Sequence, residues 1–244
     1  MIAAFIILAI IAEIAGTVGG FGSSLFFVPL AQFFFDMKTV LGITAIFHIF
    51  SNLAKLVLFR KTISWKLVLR FGVPGIVAVV LGAWLTTVVS FRYDELILGI
   101  FLIIFSVLLL LFPSLKIKDG WLSATTGGGI AGFLAGFLGT GGAIRGLFLA
   151  GYDLEKNLFI GTSAAIDMGV DLSRGVIYIN SGYLTKDNYY LVPLLIGVSA
   201  IGTYIGKLLL GRMEQGLFKK TLLAMILGIG LVMLVRSIFL IVKH

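Results

Sequence analysis

The sequence predicts an all-α polytopic membrane protein made of two inverted repeats of about 120 residues. Composition is the first reason. Hydrophobic residues are 59% of the 244-residue chain, charged residues are 12%, and the mean hydropathy is +1.13. A soluble domain carries about 25% charged residues, and so apolar a chain would leave too little polar surface to cover a core in water. The second reason is the run of apolar segments separated by short polar breaks. The third is that two over-long segments, each broken by glycines, recur in register half a chain apart.

This composition excludes a free-standing soluble enzyme. The net charge of +8 would suggest nucleic acid in a soluble protein; in lipid it reads as cytoplasmic loops rich in Lys and Arg, and no nucleic-acid partner is expected. The absence of cysteine excludes disulfides, thiolate metal sites, iron–sulfur clusters and thiol nucleophiles. Neither Gly-x-Ser-x-Gly nor His-Glu-x-x-His occurs, and the only histidines are His48 and His244. No catalytic residue, metal ligand or cofactor is expected. The first basic residue is Lys38, so the N-terminal apolar stretch lacks the basic start of a cleaved signal peptide and is expected to stay in the mature protein.

The apolar segments are 1–35, 39–59, 67–90, 96–112, 121–151, 157–179, 189–210 and 217–242. About 20 residues cross the hydrocarbon core as a helix, which suits six of them. Segments 1–35 and 121–151 are too long for one straight span, and each contains a glycine run, Gly19-Gly20-Phe21-Gly22 and Gly139-Thr140-Gly141-Gly142. Each reads as a helix, a break and a shorter helix. The Gly128, Gly132, Gly136 ladder lies on one helix face and suits close packing against a neighbouring helix.

The two broken segments match at an offset of 120, Ile14-Ala15-Gly16 on Leu134-Ala135-Gly136, Gly19 on Gly139 and Gly22 on Gly142. After a one-residue gap the register continues at 119. Gly42, Thr44, Ala45 and Pro74 then meet Gly161, Ser163, Ala164 and Pro193, and His48, Asn52 and Lys55 meet Asp167, Asp171 and Arg174. The halves are 1–119 and 120–244 of one integral membrane domain. If both broken segments return to the side they entered from, Arg60, Lys61, Lys66, Arg70, Lys116, Lys118, Lys156, Arg212, Lys219 and Lys220 share one side, against Lys38, Arg92, Lys186 and Lys243, ten to four. If both cross once the better split is eight to six. The positive-inside rule selects the first arrangement. Each half then crosses an odd number of times, so the halves are inverted and both termini are non-cytoplasmic.

Glycine-broken helices at matching places of inverted repeats point to a midplane site in secondary transporters. The break frees backbone N–H groups, and the next helix presents its positive dipole end there. Gly22, Ser23 and Ser24 begin the second helix of the first half; Gly141, Gly142, Ala143 and, one turn in, Arg145 begin that of the second. An arginine deep in an apolar segment costs about 2.5–3.5 kcal/mol on the mildest scale. It therefore reads either as an anion ligand or as one member of a structural pair with Asp167 or Asp171. Ser163, Asp167, Asp171 and Arg174 form one helix stripe, and Thr44, His48, Asn52 and Lys55 form its equivalent. Asp167, Asp171 and Arg174 suit coupling or gating, with protons as the coupling ion, and Asp171 with Arg174 also reads as a structural pair near the membrane edge. His48, Asn52 and Ser163 are candidate substrate contacts, although His48 could titrate near neutral pH or be purely structural. Glu13 has no visible partner. Lys55, Lys207 and Arg236 lie towards segment ends and are expected to snorkel.

With its two glycine-rich breaks, Gly19–Pro29 (GGFGSSLFFVP) and Gly139–Leu149 (GTGGAIRGLFL), each followed by a small-residue helix start, Gly42-Ile43-Thr44-Ala45 and Gly161-Thr162-Ser163-Ala164, the chain resembles the TauE/SafE sulfite exporter family over essentially its whole length. The resemblance implies an inner-membrane permease that moves small anions such as sulfite, sulfoacetate or related sulfonates, outward across the bilayer. It carries the family's glycine breaks onto Gly19, Gly20, Gly22, Gly139, Gly141 and Gly142, and the proline after the first break onto Pro29. The second copy departs from the pattern, with Leu149 and Ala150 near the place of the proline and Arg145 after the break. A guanidinium fork suits a sulfite or sulfonate headgroup. An anion channel and a non-transporting scaffold or accessory subunit are the competing readings, and the oligomeric state, a homodimer included, is left open.

Overall fold

The computed structural model describes residues 2–20, 22–89, 94–112, 120–150, 152, 154–212, 214, 224, 227–228 and 230–235. Its described regular structure is helical: α1 (Ile2–Gly19), α2 (Ser24–Ala31), α3 (Met37–Phe59), α4 (Trp65–Val88), α5 (Asp94–Leu111), α6 (Trp121–Phe137), α7 (Gly142–Ala150), α8 (Lys156–Asn180), a 3₁₀ turn at Lys186–Asn188, and α9 (Leu191–Arg212). Within the expected segment 217–242 the described residues are helical too. Arg92, Lys116, Lys118, Lys219, Lys220 and Lys243, on which part of the charge argument rests, lie outside the described residues, as does Arg236.

Among the described residues, four helices are long and apolar enough to cross a membrane: Ile2–Gly19, Met37–Phe59, Trp65–Val88 and Lys186–Arg212. With 25 residues, α8 is long enough as well, but it carries Lys156, Asp167, Asp171 and Arg174. Its charges turn inward. Asp171 and Arg174 are 2% and 1% exposed, whereas Trp65, Leu69, Val73, Val77, Leu81, Trp84 and Val88 form an exposed stripe along α4. Polar groups inside and apolar groups outside suit a chain whose solvent is lipid. The chain is an integral membrane protein.

Both over-long segments break where the glycines stand. Gly20, Gly22 and Gly139 adopt φ of 69°, 81° and 76°, a region costly for residues with a Cβ. The backbone can leave the helix there at little cost. After the first break α2 folds back along α1, and Phe5 packs against Phe27, Phe34 and Phe35 with ring centroids 5.8, 5.6 and 5.2 Å apart. The side chain of Asp36 then starts α3 by accepting from the Thr39 backbone N–H at 3.1 Å, the usual cap of an orphan helix donor.

Most of the principal helix contacts recur when α1, α2, α3 and α4 are exchanged with α6, α7, α8 and α9, although α6 also touches α8 more closely than α1 does α3. Thus α4 packs on α6 as α9 does on α1, α4 on α8 as α9 on α3, and α3 and α8 pack on each other. The glycine ladder of α6 makes the first of these contacts: a Cβ on Gly128, Gly132 or Gly136 would run into the carbonyls of Phe71, Gly75 or Val79. Helices α3 and α8 are antiparallel. At one end Thr62 donates to the Asn157 carbonyl at 3.1 Å and the Ser64 N–H to Thr162 Oγ1 at 2.9 Å; at the other, Gly42 abuts the Tyr183 backbone. Asn52 meets Asp171 between them.

Candidate functional site

The polar stripes of α3 and α8 face each other where these helices cross, and both breaks are brought to the same place. Arg145, one turn into α7, forms an ion pair with Asp167 of α8. Its Nε donates to Ser163 Oγ at 3.0 Å, and Ser163 Oγ donates in turn to the Gly20 carbonyl of the first break at 3.2 Å. A Cβ on Gly22 would lie 3.5 Å from Arg145 Nη2 and 3.6 Å from Asp167 Oδ2. These are ordinary contact distances, so what calls for glycine at position 22 is its φ of 81°, and the first break lies directly against an arginine from the other half of the chain.

A second cluster joins the first across α3. Asn52 Nδ2 donates to Asp171 Oδ2 at 2.7 Å, and Arg174 Nε donates to Asp171 Oδ1 at 2.8 Å. Arg174 Nη1 donates to the carbonyls of Ala135 and Gly139 at 2.8 and 3.0 Å, which are orphan acceptors at the end of α6. Asp171 and Arg174 thus form an ion pair at the contact of α8 with α3, and they fasten the second break to α8. His48 Nδ1 stands 3.6 Å from Asp171 Oδ2.

Glu13 and Lys55 form the part of the site that sequence reasoning missed. Lys55 does not snorkel: it is buried, with Nζ 2.9 Å from Glu13 Oε1 and donating to Ser51 Oγ at 2.6 Å. Four hydroxyls also donate to Glu13, from Thr17 at 3.0 Å, Ser23 and Ser51 at 2.6 Å each, and Thr203 at 2.9 Å. Ser23 Oγ has one proton, which goes to Glu13, so its 3.0 Å contact with His48 Nε2 has the imidazole N–H as donor. Ser23 is thus engaged by Glu13 and His48 rather than presented to a ligand. The run Glu13–Ser23–His48–Asp171–Arg174 connects the two halves by polar contacts. A glutamate in an apolar helix is the signal that could have found this cluster; the partner's identity was not readable.

Between these clusters lies a cavity of about 10 Å³, room for about one water molecule. Gly16 and Thr17 of α1, Gly20 and Gly22 of the first break, Asn52 and Lys55 of α3, and Ser163 and Asp167 of α8 line it. Of the other expected contacts, Gly141 abuts the Ala131 carbonyl of α6. Ser24 is buried in the first turn of α2, and Gly142 and Ala143 lie in the first turn of α7. A cluster of Val18, Phe59, Ile160 and Leu210 adjoins the cavity through Ile160. Beyond Phe59 is an open pocket of about 560 Å³ lined by Arg60, Lys61 and Lys207 among others. Lys207 is half-buried there, as expected near a helix end, with Nζ 3.4 Å from the Leu58 carbonyl.

Comparison with curated proteins and with solved structures gives no match. The family model described as TauE, sulfite exporter TauE/SafE, matches residues 5–233, a span that takes in both breaks and every side chain of the buried network. The chain belongs to the sulfite exporter TauE/SafE family.

Proposed function

We propose that this protein is a secondary transporter that exports small oxyanions such as sulfite, sulfoacetate and other sulfonates, and that Arg145 is the principal ligand of the anion. One observation carries this reading: a buried arginine at the start of the helix after one glycine break faces the other break, and its partners Ser163 and Asp167 line a small cavity between the halves. Arg145, Ser163 and Gly22 hold the headgroup, aided by the N-terminal ends of α2 and α7, and Asn52 and His48 stand one layer away. In the closed state Asp167 occupies the guanidinium in place of the substrate. A proton on Asp167 frees it, which makes Asp167 the coupling group.

Alternating access follows from two repeats, 1–119 and 120–244, inverted about an axis in the membrane plane. The exchangeable packing pattern and the antiparallel course of α3 and α8 support this arrangement. The chain's return beside α1 supports the re-entrant hairpin. In this arrangement the side with Arg60, Lys61, Lys156 and Lys207 is cytoplasmic, both termini are external, and the Val18–Phe59–Ile160–Leu210 cluster is the inner gate. The small cavity favours a transporter over an open channel.

The test is flux of labelled sulfite and sulfoacetate in proteoliposomes. Arg145→Gln that folds normally is expected to lose nearly all flux. Wild-type flux from that variant would refute the assignment. Flux in the wild type that ignores an imposed proton gradient would favour a channel, and the absence of any flux would favour a scaffold.

A further inference from the structure

A second basic feature lies away from the breaks, where α3 and α9 end together. Ser51 and Thr203 meet on Glu13, and Phe59 and Leu210 share one cluster further along, so the two helices run in the same direction. Beyond Phe59, the open pocket of about 560 Å³ is lined by Val57 and Phe59 of α3, Arg60 and Lys61 of the following turn, Asn157 of α8 and Lys207 of α9. No carboxylate lines it, and among the described residues none pairs with its three cations. Glu155 stands outside, accepting from Asn157 Nδ2 at 3.4 Å.

Helix ends do not account for so much positive charge. A helix C-terminus carries about half a negative charge, so α3 and α9 offset about one of the three cations, and Lys156 already serves the end of α9 by donating to the Leu210 carbonyl. Lys207 is held in position, with Nζ 3.4 Å from the Leu58 carbonyl and 5.5 Å from the centroid of the Phe59 ring. That carbonyl engages one of its three N–H donors.

The surroundings of the pocket are those of a lipid headgroup. Trp65, 64% exposed, opens α4 four residues after Lys61, and tryptophan collects at the membrane–water interface. One turn back along each helix, Leu53 before Val57 and Tyr204 before Lys207 are 50% and 56% exposed. An outward apolar or aromatic face thus leads from the cations towards the bilayer on both α3 and α9.

We propose that this pocket binds an anionic phospholipid, with the phosphate among Arg60, Lys61 and Lys207 and the acyl chains along the exposed faces of α3 and α9. A soluble phosphate shares the headgroup chemistry but leaves the apolar faces unused. Basic pockets between membrane helices suit such headgroups. The bound lipid ties the turn after α3 to α9, next to Phe59 and Leu210 of the proposed inner gate. The site is separate from the cavity between the breaks and is testable without transport.

The experiment is native mass spectrometry of the full chain in neutral detergent, titrated with phosphatidylglycerol or phosphatidylcholine of the same acyl chains. Each Lys or Arg near a membrane surface strengthens binding of anionic lipid about fivefold. The wild type is therefore expected to favour phosphatidylglycerol by about tenfold or more, and Arg60→Gln, Lys61→Gln and Lys207→Gln together to abolish the preference. Lys66→Gln with Arg70→Gln, at the same end but outside the pocket, should change it by less than about twofold. Equal binding of the two lipids by the wild type overturns the proposal, as does a folded triple variant that keeps the preference. An equal loss in the Lys66 and Arg70 variant would overturn it too, because diffuse surface charge would then suffice. Displacement of phosphatidylglycerol by an equal concentration of glycerol 1-phosphate would mark a site for a free anion and refute the lipid. Should the triple variant not fold, Arg60→Gln with Lys61→Gln, both at exposed positions, is expected to lose most of the preference, and its retention counts equally against the site.

Discussion

Asn52 of α3 donates a 2.7 Å hydrogen bond to Asp171 of α8, and the two positions are 119 residues apart, the offset at which the first half maps onto the second. Only a residue near a two-fold axis can touch its own equivalent. In the proposed arrangement of inverted halves the pair lies near the axis that relates them, and the cavity, lined by Asn52 itself, lies beside it. A site on such an axis draws on both halves at once, and its lining changes when one half moves against the other.

Removing Asp171 is expected to damage the fold more than the transport chemistry. Asp171→Ala leaves Arg174 buried without its carboxylate and Asn52 without its acceptor, at a cost of about 3–5 kcal/mol. Thermal unfolding in detergent should show a large drop in midpoint. An unchanged midpoint would show that the Asp171–Arg174 pair does not fasten the second break.

Asp167 should behave differently. Asp167→Asn retains a polar side chain beside Arg145 but cannot exchange a proton. It is expected to bind substrate measurably, to fold, and to lose the response of flux to an imposed proton gradient. A response equal to that of the wild type would remove Asp167 from coupling.

The packing of α4 on α6 offers a test independent of transport. Gly132→Ala would drive a methyl group into the Gly75 carbonyl, whereas a Cβ at Gly129 meets nothing within 4 Å. The first substitution is expected to cost about 1–3 kcal/mol through overpacking; the second should leave the thermal midpoint unchanged or slightly raised, as alanine is the better helix former. Equal effects would contradict the close approach of these helices.

Topology is testable because the native chain has no cysteine. Single cysteines at the exposed positions Lys61 and Thr185 should react with a membrane-impermeant maleimide from opposite sides, Lys61→Cys from the cytoplasm and Thr185→Cys from outside. Labelling of both from one side would refute the inverted arrangement.

The helices, their approximate ends and the two breaks were legible in the sequence because lipid imposes simple rules. Spans need a certain apolar length, and a run such as Gly19-Gly20-Phe21-Gly22 cannot hold a helix as cheaply as its neighbours. Arg145 and Asp167 were legible as a candidate pair because charge is so rare in such segments that a cation and a carboxylate must find each other. The snorkelling expected of Lys55 failed for the converse reason: proximity to a segment end says nothing about which way a side chain turns. Tertiary structure alone decided that Lys55 meets Glu13, which lies on another helix 42 residues earlier, because helix crossing selects that pair and no periodicity does. It also gathered the hydroxyls of Thr17, Ser23, Ser51 and Thr203, from four separate helices or their caps, around one carboxylate. Sequence by itself determined which residues had to leave the lipid; three-dimensional packing determined whom each of them would face.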